Sequence, residues 1–178
     1  MNFLGIIPAR HASTRFPGKP LIDIHGKSMI QRVYEQACKS ITIKKVIVAT
    51  DDERIKKHVE SFGGNVMLTS ANHPTGTDRC FEAFQKEEGK FDVVINIQGD
   101  EPFIDPAQID LLCSCFTAKE NVQLATLIKK LNTLDDLVKE NTIKVIVNKK
   151  GEAIYFSRSP LPHHRGLDIN NWMNKHVY

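Results

Sequence analysis

Arg10, His11, Arg15 and Lys19 fall within ten residues that contain no acid, and Pro17 and Gly18 exclude a regular helix through them. Arginine offers a planar fork of donors and lysine a compact point charge, so together they could share the oxygens of a triphosphate. Composition alone equally allows a solvated basic loop. A second candidate is the run Asn96-Ile97-Gln98-Gly99-Asp100-Glu101-Pro102. Asp100 could hold Mg2+ against nucleotide phosphates or be only a turn residue, and the facing basic loop favours the first. Gly99 permits close backbone approach of a ligand, and Gln98 can hydrogen-bond one. Glu101 is either a supporting carboxylate or a solvated turn residue. Arg158 could grip a carboxylate with two parallel hydrogen bonds, or form an ordinary surface ion pair.

Two other phosphate motifs are excluded. Gly26-Lys27-Ser28 ends like a P-loop, but Leu21 stands where the first glycine must be. No G-x-G-x-x-G follows the first apolar run, so a dinucleotide fingerprint is absent.

The elements that position these residues follow from the apolar pattern. Residues 2–9 read as a buried strand leading into the basic loop. Ser28 is an N-cap for a helix over 28–40, with Ile30, Val33, Tyr34 and Ala37 at helical spacing. Residues 44–50 are a second strand, and Thr50-x-x-Glu53 reads as a capping box for a helix that ends at Gly63 and Gly64. A short strand at 65–69, a helix from Thr77 to Glu88 and a strand at 91–98 continue the alternation. Asp105 and Pro106 open a further helix to Phe116. The spacing predicts a mainly parallel α/β sheet, Rossmann-like, with helices on both faces and ligands at the carboxyl ends of the strands. Later, 123–130, 143–148 and 153–157 read as strands, the last two joined by a tight Asn148–Gly151 turn, which makes a late antiparallel extension. From Pro160 the chain is polar and aperiodic. The expected division is an α/β domain over 1–157 that would bind the nucleotide at its strand ends and an extended arm over 158–178.

The chain has 178 residues, 41% of them hydrophobic and 25% charged, which fits a globular protein. A net charge of +3 is too mild for a nucleic-acid partner, and no run is long and apolar enough for a membrane span. Cys38, Cys80, Cys113 and Cys115 show no C-x-x-C spacing, so reduced thiols in a cytoplasm are expected. Cys113 and Cys115 read as packing residues on a helix. His163, His164 and Arg165 could suggest metal or phosphate binding but read as exposed tail residues. Trp172 is a candidate anchor for a partner surface.

The loop Pro8-Ala9-Arg10-His11-Ala12-Ser13-Thr14-Arg15-Phe16-Pro17-Gly18-Lys19 resembles the signature loop of the 3-deoxy-manno-octulosonate (Kdo) cytidylyltransferases. Residues 12–17 match it more closely than they match the loop of the related CMP-sialic acid synthetases. His73-Pro74-Thr75-Gly76-Thr77-Asp78-Arg79 is similar to that family's H-x-S-G-T-D/E-R segment, with threonine at 75 where serine is usual. Asn96 to Pro102 matches its N-x-Q-G-D-E-P motif. Tyr155-Phe156-Ser157-Arg158, with Pro160 and Pro162, is similar to its Y-F-S-R-x-x-I-P segment, with Leu161 in place of isoleucine.

The resemblance implies an enzyme that joins Kdo to CMP from CTP with Mg2+, releasing pyrophosphate, in lipopolysaccharide biosynthesis. It implies that Arg10, Arg15 and Lys19 hold the triphosphate, with Arg10, Lys19 and Asp100 catalytic and Asp100 the metal ligand. Pro8, Ala9, Ser13, Thr75 and Arg79 would line the nucleotide, and Gln98 and Arg158 would face the acceptor. A homodimer is also implied, with an acceptor-side or dimerisation role for the 158–178 arm. His11 stands where the family often has tyrosine, so it is given no catalytic role. Arg79 could instead pair with a nearby acid. Family members continue past Tyr178 through an H-x-G-x-Y segment and a later segment bearing a second metal-binding aspartate. The expectation is therefore a shortened form that binds CTP with little turnover, in which His176 is not the acceptor histidine. Two alternatives stay open: a CTP-binding module without chemistry, and a cytidylyltransferase for another acid sugar.

Overall fold

The computed structural model describes residues 1–12, 16–118, 121–161, 165–166, 168 and 171. The chain forms two compact units, Met1–Ala125 and Thr126–Tyr178.

In the first unit, β1 (Phe3–Ala9), β4 (Ile43–Thr50), β5 (Val66–Leu68) and β6 (Val93–Asn96) form one parallel sheet in the order β5-β4-β1-β6. The strands are near-continuous apolar runs because both faces are covered. On one face Phe3, Ile7 and Ala9 of β1 and Val46 and Val48 of β4 pack against α1 (Met29–Ala37), α2 (Glu53–Ser61) and α4 (Pro106–Ala118). On the other, Leu4, Ile6, Ile47 and Ala49 meet Cys80 and Ala83 of α3 (Gly76–Lys86). This is the expected parallel α/β architecture, with its helices on both faces.

The helix starts follow local chemistry. Ser28 caps α1, its hydroxyl accepting from Gln31 N at 3.2 Å, and Ile30, Val33 and Ala37 are buried at helical spacing. Asp105 Oδ1 accepts from Ala107 N at 2.9 Å at the head of α4, just before Pro106. The expected Thr50–Glu53 capping box does not form. Thr50 is the last residue of β4 and fully buried, and Asp52 caps α2 instead, accepting from Arg54 N and Ile55 N. The third helix begins before Thr77, because Thr75 and Asp78 make a reciprocal capping box. The segment that imitates a P-loop is a hairpin between β2 (Asp23–Ile24) and β3 (Lys27–Ser28). His25 and Gly26 both have positive φ, 50° and 79°, as a two-residue turn of this type requires.

The second unit holds α5 (Leu134–Val138), capped by Thr133, and the antiparallel pair β7 (Lys144–Val147) and β8 (Ala153–Ser157). Their turn closes with Gly151 N donating to Asn148 O at 3.0 Å, Gly151 having φ 78°. The pair is a two-stranded sheet of its own. The expected strand over 123–130 is absent. The segment has no described strand to pair with, and Leu124 is 90% exposed.

Asp52 gives a direct test of this local chemistry. Its hydrogen bond from the Arg54 side chain, helped by backbone donors, holds the carboxyl at about 2, below its usual 3.8. Replacing Asp52 by alanine is expected to lower the unfolding free energy in urea by about 1 kcal/mol near neutral pH. The folded-state value is the lower one, so this contribution is complete above pH 3.8 and lost as the pH falls toward about 2. The gap between the two proteins should therefore close over that range.

Candidate active site

The chain runs outward from β1 through β4 to β5, then returns to place β6 on the other side of β1. The carboxyl ends of β1 and β6 thus flank the point where strand order reverses, the usual ligand crevice of such sheets. Three of the sequence motifs meet there around Pro8. A Cβ on Gly99 would lie 2.9 Å from the Pro8 carbonyl oxygen, and one on Gly76 would lie 3.2 Å from Pro8 Cγ. The two glycines let the Asn96–Pro102 turn and the head of α3 close onto the end of β1.

Hydrogen bonds fix the basic loop at both ends. Arg10 Nη2 donates to the carbonyls of His73 and, at 3.1 Å, Thr75, which joins the loop after β1 to the segment before α3. Gly18 N donates to His11 O at 2.9 Å, and Gly18 has φ 74°, which directs the chain into a single 3-10 turn at Lys19–Leu21. Lys19 is therefore held at its backbone, and its Nζ lies 2.7 Å from Asp100 Oδ2 across the switch point. The two side chains are 37% and 52% exposed, so the pair is open to a ligand. Gln98 is exposed beside it, its Nε2 donating to Asn96 Oδ1 at 3.3 Å. Glu101 is exposed in the turn that follows, its carbonyl accepting from Ile104 N at 3.1 Å.

Two expected nucleotide residues are committed to structure. The Thr75 hydroxyl is engaged in the capping box, Oγ1 donating to Asp78 Oδ2 at 2.5 Å and accepting from Asp78 N at 3.2 Å. Arg79 is fully buried, with Nη1 donating to Thr69 Oγ1 at 2.6 Å and Nη2 3.2 Å from Asp51 Oδ2. The Asp51 contact is close enough for ion pairing but not aligned as a hydrogen bond, and Nε also lacks one. Arg79 thus pairs with a nearby acid and ties the carboxyl ends of β4 and β5 to α3.

Among the described residues no cluster of three or more His, Cys, Asp or Glu side chains could hold a metal. A single exposed carboxylate at a strand end does fit Mg2+, which keeps several waters and is bound through one or two carboxylates plus substrate phosphates. Burial pushes the thiol of Cys80 up to about 12 and that of Cys113 to about 11, which suits packing rather than nucleophilic roles. All four cysteines are free.

In the second unit, Arg158 Nη1 donates to Glu140 O at 2.9 Å. That unit also has a cavity of about 450 Å3 walled by Leu127, Ile128, Ile143, Val145 and Phe156. Lys129, Lys130 and Asp136 also line it. Ser13, Thr14, Arg15, Pro162, His163, His164, Trp172 and His176 lie outside the described residues.

The sequence expectations set the basic loop facing Asp100 but foresaw neither the direct Lys19–Asp100 pair nor the Arg10 anchor. Opposite charges on the loops after adjacent strands were the available signal for the first. Nothing local signalled the second, since its acceptors are backbone carbonyls.

A family model described as cytidylyltransferase matches residues 4–177. A 3-deoxy-manno-octulosonate cytidylyltransferase of Parabacteroides distasonis is 54% identical over 182 residues, covering 100% of this chain and 71% of that protein. The same-named protein of Cytophaga hutchinsonii is 54% identical over 179 residues, with the same shares covered. A solved CMP:2-keto-3-deoxy-manno-octonic acid synthetase complexed with CTP superposes with a TM-score of 0.91 at 40% identity, covering 100% of this chain and 70% of that one. A cytidylyltransferase from Leptospira borgpetersenii superposes with a TM-score of 0.60 at 26% identity, covering 68% of this chain and 51% of that one. Among the described residues no helix is long and apolar enough to cross a membrane.

Closure of the site around Pro8 is testable at Gly99. A Cβ there would press on backbone rather than on a flexible side chain, so Gly99→Ala is expected to cost about 1–3 kcal/mol of stability in urea unfolding. An unchanged midpoint would mean that the turn can move away from β1 freely.

Proposed function

This chain belongs to the cytidylyltransferase family, and from that premise we propose how its residues carry out the reaction. It is a nucleotidyltransferase that activates Kdo with CTP to give CMP-Kdo and pyrophosphate. The anomeric hydroxyl oxygen of Kdo bonds to the α-phosphorus, the bond to the pyrophosphate bridging oxygen breaks, and the hydroxyl proton passes to solvent. No covalent enzyme intermediate is required, so the protein's work is positioning and charge neutralisation.

The single observation that carries the assignment of roles is the Lys19–Asp100 pair across the β1/β6 switch point. Lys19 exchanges its carboxylate partner for phosphate oxygens when the nucleotide arrives and stabilises the leaving pyrophosphate. Asp100 is the residue that would hold Mg2+, whose chemistry there is neutralisation of phosphoryl charge. Arg10 and Arg15 share the triphosphate, and Pro8, Ala9, Ser13 and Thr75 line the nucleoside. Arg79 contributes to that wall from behind, by fixing the strand ends. Gln98 and Arg158 face the acid sugar, whose carboxylate suits a guanidinium. In this division residues 1–157 bind the nucleotide and 158–178 form the acceptor-side arm.

Two copies pair, in keeping with the exposed apolar side chains of Ile143, Ile154, Tyr155 and Phe156. The setting is the cytoplasm, where lipopolysaccharide precursors are made. Nothing at the site favours the reading as a module without chemistry.

Titration calorimetry with Mg2+ should show CTP binding tighter than ATP, and pyrophosphate should be released only when Kdo and CTP are both present. Equal affinity for the two nucleotides would count against the assignment. Lys19→Ala is expected to weaken CTP binding by about ten- to a hundredfold, the loss of one charge-assisted contact, with the melting temperature unchanged. An unaltered affinity in a folded variant would show that the basic loop is only a solvated face.

A further inference from the structure

Glu82 lies in the middle of α3 and belongs to none of the sequence motifs. Its carboxylate nevertheless gathers three donors. Oε2 accepts from the backbone N–H of Ser70 at 2.8 Å and from His73 Nε2, while Oε1 lies 2.6 Å from Lys86 Nζ one turn further along. These contacts, Lys86 first and His73 next, hold the Glu82 carboxyl down at about 2. Two of the three donors come from the segment between β5 and α3, which has no helix or strand of its own.

That segment is fixed at its start by Glu82 and at its end by the Thr75–Asp78 capping box. Between these anchors, the carbonyls of His73 and Thr75 receive Arg10 Nη2. The chain of contacts therefore runs from Glu82 to the ring of His73, through the His73 backbone, to the arginine of the phosphate loop. An arginine held in direction before the ligand arrives loses less rotamer freedom on binding than one that must be ordered then.

We propose that Glu82 is a positioning residue for nucleotide binding, holding the 70–75 loop in the shape in which its carbonyls receive Arg10. The proposal rests on the reading of Arg10 as a triphosphate ligand. It gives His73 a role as well, as the loop-side partner of the same carboxylate. Lys86 has none, because it approaches from the helix and its other hydrogen bond, at 3.1 Å, goes to Leu68 O in β5 rather than to the loop.

The test is CTP calorimetry with Mg2+ on the full chain and five variants. Glu82→Gln keeps shape and loses charge. It is expected to raise the CTP dissociation constant about tenfold, the size expected when one arginine must be ordered on binding. Its melting temperature should stay within about 2 °C, a shift well under that of a lost core contact. His73→Gln should weaken binding similarly and serves if Glu82→Gln unfolds, whereas Lys86→Met should bind as the unsubstituted chain does. The deciding pair is Arg10→Lys alone against Arg10→Lys with Glu82→Gln. If Glu82 acts through Arg10, the double variant binds no more weakly than the single one. Multiplied effects would overturn the proposal, as would unchanged affinity in Glu82→Gln or an equal loss in Lys86→Met. An unsubstituted chain that did not prefer CTP to ATP would instead strike the cytidylyltransferase reading, and this proposal with it.

Discussion

β1 is hydrogen-bonded along both edges, to β4 and to β6, and the site follows from that constraint. A strand covered on both faces has no water for its peptide groups, so it must find neighbours on either side. Both neighbours here are parallel, which puts all the carboxyl ends at one margin of the sheet. The chain can supply the two neighbours only by going out through β4 and β5 and coming back to β6. The loops after β1 and β6 are then left side by side, and Lys19 and Asp100 come within 2.7 Å although 81 positions apart.

Backbone geometry and charge cooperate at this margin. Pairing with β6 ends at Ile6, so Pro8 comes after the last residue held on that edge, where a missing N–H breaks no ladder with β6. Gly99 then packs on the Pro8 carbonyl with no side chain between them. Close-packed backbone and a pair of opposite charges thus share this margin. The half-exposed Lys19 and Asp100 satisfy each other's charge there. A pair this exposed contributes little to stability, so exchanging one partner for a phosphate oxygen costs little.

Much of the frame was legible in the residues because burial and capping leave local marks. The apolar runs of β1 and β4, the caps at Ser28 and Asp105, and the Asn148–Gly151 turn all stand where their chemistry puts them. The failures have a common cause, which is that tertiary context chose between two local options. Thr50 and Asp52 both precede Glu53 with a side-chain oxygen, but the sheet claims Thr50 as its last buried strand residue and leaves Asp52 to cap the helix. Residues 123–130 carry Leu124, Ala125, Leu127 and Ile128, yet an apolar stretch makes a strand only where a neighbour accepts its hydrogen bonds. At the site, residue types could be read but not their partners. Glu82 looks like any solvated helix glutamate until the preceding loop is seen to fold back onto it.

Two buried cations show how differently such charges can be accommodated. Arg79 and Lys144 are 0% and 1% exposed. Arginine cannot shed its proton in a protein, so its burial calls for an acid, and Asp51 lies 3.2 Å away. Lys144 has instead the carbonyls of Lys139, Thr142 and Arg158, at 2.6, 2.9 and 2.7 Å. Those dipoles offset only part of the lost hydration. Burial, and then the charge of Arg158, accordingly pull the lysine below its ordinary pKa. Neither arrangement is the most stable filling of its space, since an apolar side chain of similar volume commonly does as well. What each gives is a single geometry. Arg79 binds the ends of β4 and β5 to the base of α3, and Lys144 binds the turn before β7 to the residue that follows β8. That residue is Arg158, so a buried charge fixes the backbone from which its guanidinium extends, the group proposed to meet the acceptor.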